Sequence, residues 1–121
     1  MLSWREQNAA RQSHRRDLNE AFERAPVGVV SPPKRYTCEC GDPCCESTVC
    51  VGMSEYESVR AYGNHFLIAT NHENPEVEHV VTENKRFAIV ATFVGQASKV
   101  ALRTDPRRLY VGDKLPRLEC T

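Results

Sequence analysis

Residues 3 to about 24 follow a helical pattern. Ser3 followed by Glu6 fits the capping box that begins many helices, and neither glycine nor proline occurs before Pro26. The second half of this helix carries an apolar stripe that we expect to pack on a core. The members of that stripe are Leu18, Ala21, Phe22 and Ala25. The first half is almost wholly polar, so we expect it to project into solvent, with Trp4 as a candidate anchor for a partner.

Residues 26–35 are rich in proline and end this helix. Together with Ala25 they read APVGVVSPPKR, and the prolines and glycine favour a stiff, extended connection. Beyond it, Tyr36 begins an extended segment and residues 47–53 alternate between polar and apolar side chains. These two segments predict a pair of short strands with most of the cysteines on the turn between them.

The next segments predict a short helix followed by a strand. Ser54 and Glu57 can form a capping box over residues 54–63, and Gly63 is a typical helix stop. The run HFLIAT, residues 65–70, is apolar and of strand length.

A hairpin and a further helix complete the ordered pattern. VEHVVT (77–82) and RFAIVATFV (86–94) flank the turn residues ENK and predict two antiparallel strands. Both faces of the second strand are apolar, so we expect it at the centre of the sheet. Residues 95–105 predict a short helix that packs over this sheet. Residues 105–121 form a basic, proline-interrupted tail that we expect to be weakly ordered.

Length and composition indicate one small domain. The 121 residues have a mean hydropathy of −0.51, so the core should be modest, and no apolar run is long enough to span a membrane. The charged N-terminus lacks the apolar stretch of a signal peptide. We therefore expect a cytoplasmic protein without a membrane partner. In a reducing compartment, clustered cysteines are more often metal ligands or catalytic thiols than disulfides.

The formal net charge of zero hides a segregated distribution. Residues 1–35 hold seven Lys/Arg against four Asp/Glu, residues 36–82 hold one against eight, and residues 83–121 hold eight against four. The acidic middle and the basic C-terminal third can attract each other within the fold. Alternatively, the basic third faces an acidic partner such as nucleic acid. The near-neutral pI of 6.9 favours the first interpretation.

Five of the six cysteines fall within CECGDPCCESTVC, residues 38–50. Cys38 and Cys40 lie two residues apart and point the same way in an extended chain, and GDP then turns the chain back. Either Cys44 or Cys45 supplies a third thiolate. A tetrahedral structural zinc site needs a fourth ligand, and a histidine from a distant loop is a usual one. His72, in the loop NHENP at a strand end, is the best placed of the four histidines.

The other histidines and cysteines have more ordinary interpretations. We expect His14 to be solvated, and His65 and His79 to have core or cross-strand roles. Cys50 is expected to be a small buried residue and Cys120 an exposed thiol in the tail. Disulfides at the short spacings of the cluster are strained, and a redox pair more typically has the spacing C-x-x-C at a helix start. Zinc remains the favoured interpretation, because a structural site can contribute about 10–16 kcal/mol.

These motifs resemble a group of small uncharacterised actinobacterial zinc-knuckle-like proteins. The shared pattern runs C-E-C-x-D-x-x-C, EYE-x-VR, GHE and PEVE-x-VV, and it is matched here by YTCECGDPCC, EYESVR and NHENPEVEHVV, after an N-terminal helix with REQN. The resemblance implies Cys38, Cys40, Cys45 and His72 as the ligands, and so selects Cys45 over Cys44. Asn71 stands where the pattern has glycine, which suits a left-handed turn. The resemblance implies no activity.

The expected fold is therefore α+β, with an N-terminal helix, a zinc knuckle on a strand turn, one short helix and a small, mainly antiparallel sheet. We expect a charged helix over 1–25, a connection over 26–35, a zinc-stabilised body over 36–104 and a tail over 105–121. Removal of residues 1–17 is expected to leave the body folded.

The sequence contains no motif of a nucleotide-binding loop, a nucleophile elbow or a catalytic zinc helix. We therefore expect that the protein is not an enzyme and has no small-molecule substrate. The leading hypothesis is an interaction or regulatory module that binds a larger protein or ribonucleoprotein assembly, such as transcription or translation machinery. Candidate contacts lie on the N-terminal helix (Trp4, Arg11, Arg15, Arg16) or in the tail (Arg103, Arg107, Arg108, Lys114, Arg117). One alternative is a thiol-based sensor that releases zinc on oxidation, with Cys44 as the resolving thiol. Another is nucleic-acid binding through the tail.

Overall fold

A computed structural model describes residues 3–23 and 34–107 of the chain as an α+β fold. The helices are α1 (Trp4–Glu23), α2 (Met53–Val59) and α3 (Gln96–Arg103). The strands are β1 (Lys34–Thr37), β2 (Thr48–Val51), β3 (His65–Ile68), β4 (Glu78–Glu83) and β5 (Ala88–Thr92). The predicted fold class is confirmed. In the described ranges, no helix combines the length and the apolar character that a membrane crossing requires.

Two antiparallel sheets carry the strands. β1 pairs with β2, with Tyr36 opposite Val49, and the cysteine loop connects them. The second sheet has the order β3-β5-β4, so the predicted hairpin and the predicted central position of β5 are both confirmed. All five residues of β5 are buried, as expected for a strand covered on both faces.

An apolar core lies between the two sheets and α2. Tyr36 of β1 stacks on Tyr56 of α2 with 4.5 Å between ring centroids, and Phe66, Leu67 and Ile68 of β3 are fully buried. Their burial supplies the main hydrophobic contribution to folding. Cys38 and Cys40 belong to the same cluster of buried residues, which places the cysteine loop at the margin of the core.

The face of α1 that packs on the body is polar, contrary to expectation. Leu18 and Phe22 of the predicted apolar stripe are 50% and 43% exposed. The buried face consists largely of Asn8, Ala9, Gln12, Ser13, Arg16, Asn19 and Glu20. The predicted solvent-projecting first half was therefore wrong, and of the predicted core-packing stripe Phe22 contacts the buried Tyr36 ring, edge-on at 5.5 Å between centroids, while Leu18 is half exposed. The apolar pattern does not record polar side chains that find buried partners.

Hydrogen bonds hold this polar face in place. Arg16 is fully buried, lies over the Phe66 ring, and donates to the carbonyl oxygens of Gly63 (2.6 Å) and Ala101 (2.8 Å). Asn19 exchanges two hydrogen bonds of 2.8 Å with the backbone of Thr37. Residues 1–17 include Arg16 and also Gln12, whose buried side chain donates to Glu78 at 2.9 Å, so we expect their removal to destabilise the body.

An ion-pair network joins α1 to α2 and to the chain after α3. Arg60 pairs with Glu20 at 2.7 Å and with Asp105, and Arg107 pairs with Glu20 at 2.6 Å and with Glu57 at 2.8 Å. Burial alone would raise the pKa of Glu20, but hydrogen bonds from Arg107 and Arg60 lower it overall. Arg107, predicted as a tail contact for a partner, is engaged within the chain.

Two local expectations are corrected. The Gly52 N–H donates to Glu55 Oε1 at 2.8 Å and α2 begins at Met53, so the cap lies two residues before the expected Ser54. Cys50 is exposed rather than buried, because Val49 and Val51 take the inward positions of β2. By contrast, the Ser3–Glu6 capping box of α1 is confirmed by reciprocal bonds of 3.0 and 3.2 Å.

Several predictions fall outside the described residues. They concern residues 26–33 of the connection predicted over 26–35, Ala25 of the apolar stripe, and the tail residues Arg108, Lys114, Arg117 and Cys120. Lys34 and Arg35, the last two residues of that connection, lie in β1. The division of the chain into four parts stays a prediction.

Candidate metal centre

Four predicted residues converge at one point beside the core. The ligand atoms of Cys38, Cys40, Cys45 and His72 all lie within 4.8 Å of one another. His72 Nδ1 is 3.6 Å from Cys38 Sγ, 3.9 Å from Cys40 Sγ and 3.5 Å from Cys45 Sγ. The cluster can therefore hold a metal ion.

The distances match the edges of a metal-sized tetrahedron. Zinc lies about 2.3 Å from sulfur and about 2.0–2.1 Å from nitrogen, so a tetrahedral angle places the two ligand atoms about 3.6 Å apart. The three measured sulfur–nitrogen distances lie close to that value. These three edges of the cluster therefore have the lengths expected around one tetrahedral ion, and all four ligand atoms lie within 4.8 Å of one another.

The backbone of the cysteine loop separates Cys44 from Cys45. Asp42 accepts from the Cys44 N–H through its side chain at 2.9 Å and from the Cys45 N–H through its carbonyl at 3.2 Å. This tight turn leaves Cys44 exposed and directs the half-buried Cys45 toward the other sulfurs. The sequence alone left these two cysteines open as alternatives, and the turn places Cys45 in the cluster.

The histidine arrives on a turn with a left-handed residue. Asn71 has a φ of 68°, and the His72 N–H donates to the Ala69 carbonyl at 3.2 Å. Asparagine tolerates this conformation better than most residues other than glycine. The turn is short and directly follows β3, so the strand itself positions the imidazole opposite the cysteines.

Two donors face the sulfurs. The Ala69 N–H donates to Cys38 Sγ at 3.2 Å, and Arg15 Nη1 lies 3.5 Å from Cys40 Sγ. Hydrogen bonding from the Cys38 thiol lowers the pKa of Cys40 to about 4, and the same contact raises the pKa of Cys38. Because a thiolate is the form that binds metal, the cluster already favours one deprotonated ligand.

Glu39 anchors the loop from the opposite side. It lies between the two first cysteines, so its side chain points away from them into the core, where it is fully buried. Its carboxylate accepts from Asn19 Nδ2 (2.8 Å), the Tyr56 hydroxyl (2.7 Å) and the Leu67 N–H (2.9 Å). Burial raises the pKa of Glu39, and these donors oppose the shift. The carboxylate thereby fixes the register that presents Cys38 and Cys40 on one face.

Helix α1 touches both loops of the cluster. Arg11 Nε donates to the Gly41 carbonyl at 2.7 Å, and Gly41 packs so closely on Asn8 that a Cβ would overlap its amide. On the histidine side, Gln12 donates to Glu78 at 2.9 Å, and Glu78 accepts from the Asn74 N–H at 2.9 Å. The helix thus connects the cysteine loop to the segment that follows His72.

A small open cleft adjoins the cluster. Its volume is about 230 Å³, and it is lined by Cys40, Asp42, Asn71, His72 and Glu73. It gives solvent access to the Cys40 and His72 edge of the site.

The remaining candidate residues lie elsewhere. Trp4 is 46% exposed, and Arg16 is buried on two carbonyl groups of its own chain. His14 is exposed, as expected, and His79 stacks on Phe93 with 5.5 Å between ring centroids. Among the predicted tail contacts, Arg103 is exposed at the end of α3.

Sequence reasoning missed the residues that support the ligands, namely Arg11, Arg15, Asn19, Glu39 and Tyr56. A signal for Glu39 was present, because strict alternation places the middle residue of C-E-C opposite both thiols. The arginines and Asn19 gave no such signal, since their partners are backbone groups and a residue distant in the chain.

Comparisons with known proteins add nothing to this site, since no family model, no curated protein and no solved structure matches the chain.

Proposed function

We propose that Cys38, Cys40, Cys45 and His72 bind one structural zinc ion, and that the protein is a non-enzymatic, zinc-stabilised interaction module. The observation that carries this proposal is the position of His72 Nδ1, 3.5–3.9 Å from three sulfur atoms. Such spacing is expected around a tetrahedral ion rather than in a metal-free core.

The donor set favours zinc among common metals. Three thiolates and one imidazole are soft and borderline ligands, whereas magnesium and calcium prefer oxygen. Thiolate sites also take iron, and metal analysis distinguishes the two. A structural zinc would stabilise the fold directly, because it joins a loop before β2 to a turn after β3.

A non-catalytic role follows from the number of ligands. Catalytic zinc sites keep one position open for water or substrate, and four protein ligands leave none. The adjoining cleft of about 230 Å³ is smaller than the 300–1,000 Å³ of typical small-molecule sites. The residues around the ion instead connect it to α1 and to the core.

A role in binding a larger partner is supported by the outer face of α1. Trp4, Leu18 and Phe22 are between 43% and 50% exposed on this helix. Large apolar side chains grouped on one exposed helix face are typical of interaction surfaces.

Metal analysis combined with partner capture tests this proposal. We expect the purified protein to contain one zinc and no iron, and cobalt to replace zinc with the visible spectrum of a tetrahedral thiolate complex. Immobilised zinc-bound protein should recover partners from cell extract. The same protein stripped of metal should lose them and regain them after zinc is restored. Iron in place of zinc, or an unchanged set of partners after stripping, would contradict the proposal.

A redox sensor is the second candidate, favoured by the exposed Cys44 beside Cys45. A peroxide would oxidise one ligand thiolate to a sulfenic acid, and the peroxide itself would be reduced to water or an alcohol. Attack by the Cys44 thiolate would then form a disulfide, expel hydroxide and free the zinc. Zinc release at low peroxide concentration that requires Cys44 would support this role. Release only at denaturing concentrations, equal in Cys44→Ser, would oppose it.

A further inference from the structure

The outer face of α1 forms a continuous stripe. Trp4, Arg11 and Leu18 follow one another at seven-residue spacing and so share one face of the helix. Viewed down the helix axis, His14, Arg15 and Phe22 lie on the same side of the helix as these three residues or directly beside it. The stripe spans about 27 Å from Trp4 to Phe22 at the rise of an α-helix. Its ends are apolar and its centre is basic.

A groove lies at the basic centre, where α1 meets the cysteine loop. It has a volume of about 370 Å³ and is lined by Ala10, Arg11, His14, Arg15 and Pro43. Ala10, Pro43 and the aliphatic stems of the arginines provide an apolar floor. The guanidinium groups provide a cationic rim. Such a site fits an apolar side chain that is flanked by carboxylates.

The two arginines are fixed in position before any ligand arrives. Arg11 donates through Nε to the Gly41 carbonyl at 2.7 Å, and Arg15 through Nη1 to the Cys40 carbonyl at 2.9 Å. Among the described residues, no contact is found for the Nη groups of Arg11 or for Nη2 of Arg15. These groups remain available to a ligand, and little side-chain entropy is lost when they bind it.

We propose that this stripe and groove bind an acidic amphipathic helix of a partner protein. The proposal rests on the proposed interaction function and names its surface and the class of its partner. Arg11 and Arg15 are one helical turn apart, about 6 Å, which matches carboxylates spaced one turn apart on a facing helix. Leu18 and the exposed part of Phe22, whose ring also packs edge-on against Tyr36 at 5.5 Å between centroids, extend the contact with apolar surface, as in other complexes of a helix with a groove.

Nucleic acid fits this face less well than an acidic helix. Leu18 and Phe22 occupy one end of the stripe and offer no hydrogen bond to phosphate. Asp17 on α1 and Asp42 beside Pro43 are exposed carboxylates that would repel a continuous row of phosphates, whereas the carboxylates of a partner helix can be confined to the positions opposite Arg11 and Arg15. A protein helix can position its apolar and acidic side chains separately on each part of the stripe.

Selection from a displayed library of helical peptides tests the proposal, with the full-length zinc-bound protein as target. We expect the enriched peptides to carry Asp or Glu one turn apart beside a large apolar residue. Fluorescence anisotropy then measures the affinity of the best peptide. Leu18→Glu should weaken it at least about tenfold. Leu102→Glu is the matched control, because Leu102 on α3 is 49% exposed and Leu18 is 50% exposed; its affinity should be unchanged.

Three binding results would overturn the proposal even where a peptide binds. They are enrichment of peptides without acidic residues, equal weakening by the two glutamate variants, and tighter binding of a single-stranded oligonucleotide than of the best peptide. The zinc content of each sample is measured in parallel. Full zinc with no peptide binding overturns this inference alone, whereas a sample that never binds zinc overturns the proposed function.

Discussion

Arg15 reaches Cys40 twice, with Nη1 2.9 Å from its carbonyl oxygen and 3.5 Å from its sulfur. One side chain of α1 thereby holds the backbone of the cysteine loop and places a positive charge next to a thiolate. A zinc ion with three thiolates and one neutral imidazole carries a net charge of about −1. The guanidinium would offset that charge in a site that is partly removed from water.

Replacement of Arg15 by Gln should weaken zinc binding. The variant loses the charge beside Cys40 and the hydrogen bond to its carbonyl, and such supporting contacts are typically worth about 10–100-fold in metal affinity. Competition with a chromophoric chelator measures the affinity. His14→Gln, at the exposed neighbouring position, is the control and should bind zinc as the unchanged protein does. Equal affinities for both variants would show that the Arg15 contact does not support the metal.

Metal removal should release α1 before it releases the sheet. The helix is attached mainly through polar contacts, and several of them reach the cysteine loop or the segment after His72. β5, in contrast, is buried throughout. Hydrogen exchange with and without a chelator should show loss of protection first in residues 4–23 and 38–45, with β5 protected for longer. Full protection of α1 in the metal-free protein would be inconsistent with this coupling.

The close contact of Gly41 with Asn8 can be tested by adding one methyl group. Gly41→Ala would displace the buried Asn8 amide, which also donates to Gln12 at 3.3 Å, and should cost about 1–3 kcal/mol of unfolding free energy. Gly52→Ala is the matched control, because its Cβ would lie 3.7 Å from the nearest atom, an ordinary contact. The unfolding free energies of the two variants, measured in urea, should differ by this amount. Similar unfolding midpoints would mean that α1 can shift to accommodate the added methyl group.

The ion pairs of Glu20 should give an acid-sensitive contribution to stability. Its pKa is lowered in the fold from an ordinary value of 4.5, so its contribution is complete above about pH 4.5 and is lost as the pH falls through the folded-state pKa. Glu20→Gln should therefore cost about 1.5–3 kcal/mol at pH 7 and less at pH 3.5. Unfolding of the unchanged protein and of Glu20→Gln gives the difference in unfolding free energy at pH 7 and at pH 3.5. Release of zinc at low pH affects both proteins and largely cancels in that difference. An equal loss of unfolding free energy at both pH values would mean that the charge of Glu20 does not contribute to stability.

Much of this fold follows from local patterns in the sequence. The apolar runs of strand length at β3 and β5, the capping box at Ser3 and the glycines and prolines between segments predicted most of the elements, because each depends on neighbouring residues. The metal cluster was also predictable, since clustered cysteines with a histidine from a distant loop are a typical ligand set of structural zinc sites.

The packing of α1 could not be predicted in the same way. Gln12, Arg16 and Asn19 look like solvent-facing residues until their partners are known, and those partners lie between 18 and 85 residues away in the chain. A polar side chain is buried only where a distant group satisfies it. The same condition explains why Glu39 and Tyr56, which share a hydrogen bond of 2.7 Å, appeared unrelated in the sequence.

The ligand set itself is tested most directly by two adjacent cysteines. Cys45 lies in the cluster and Cys44 is exposed outside it, although they are chemically identical and consecutive in the chain. Zinc per chain is measured by elemental mass spectrometry for the unchanged protein, Cys44→Ser and Cys45→Ser after dialysis against a weak chelator. We expect one zinc in the first two proteins and strong loss in Cys45→Ser. Retention of zinc by Cys45→Ser together with loss from Cys44→Ser, or absence of metal from all three, would contradict the site described here.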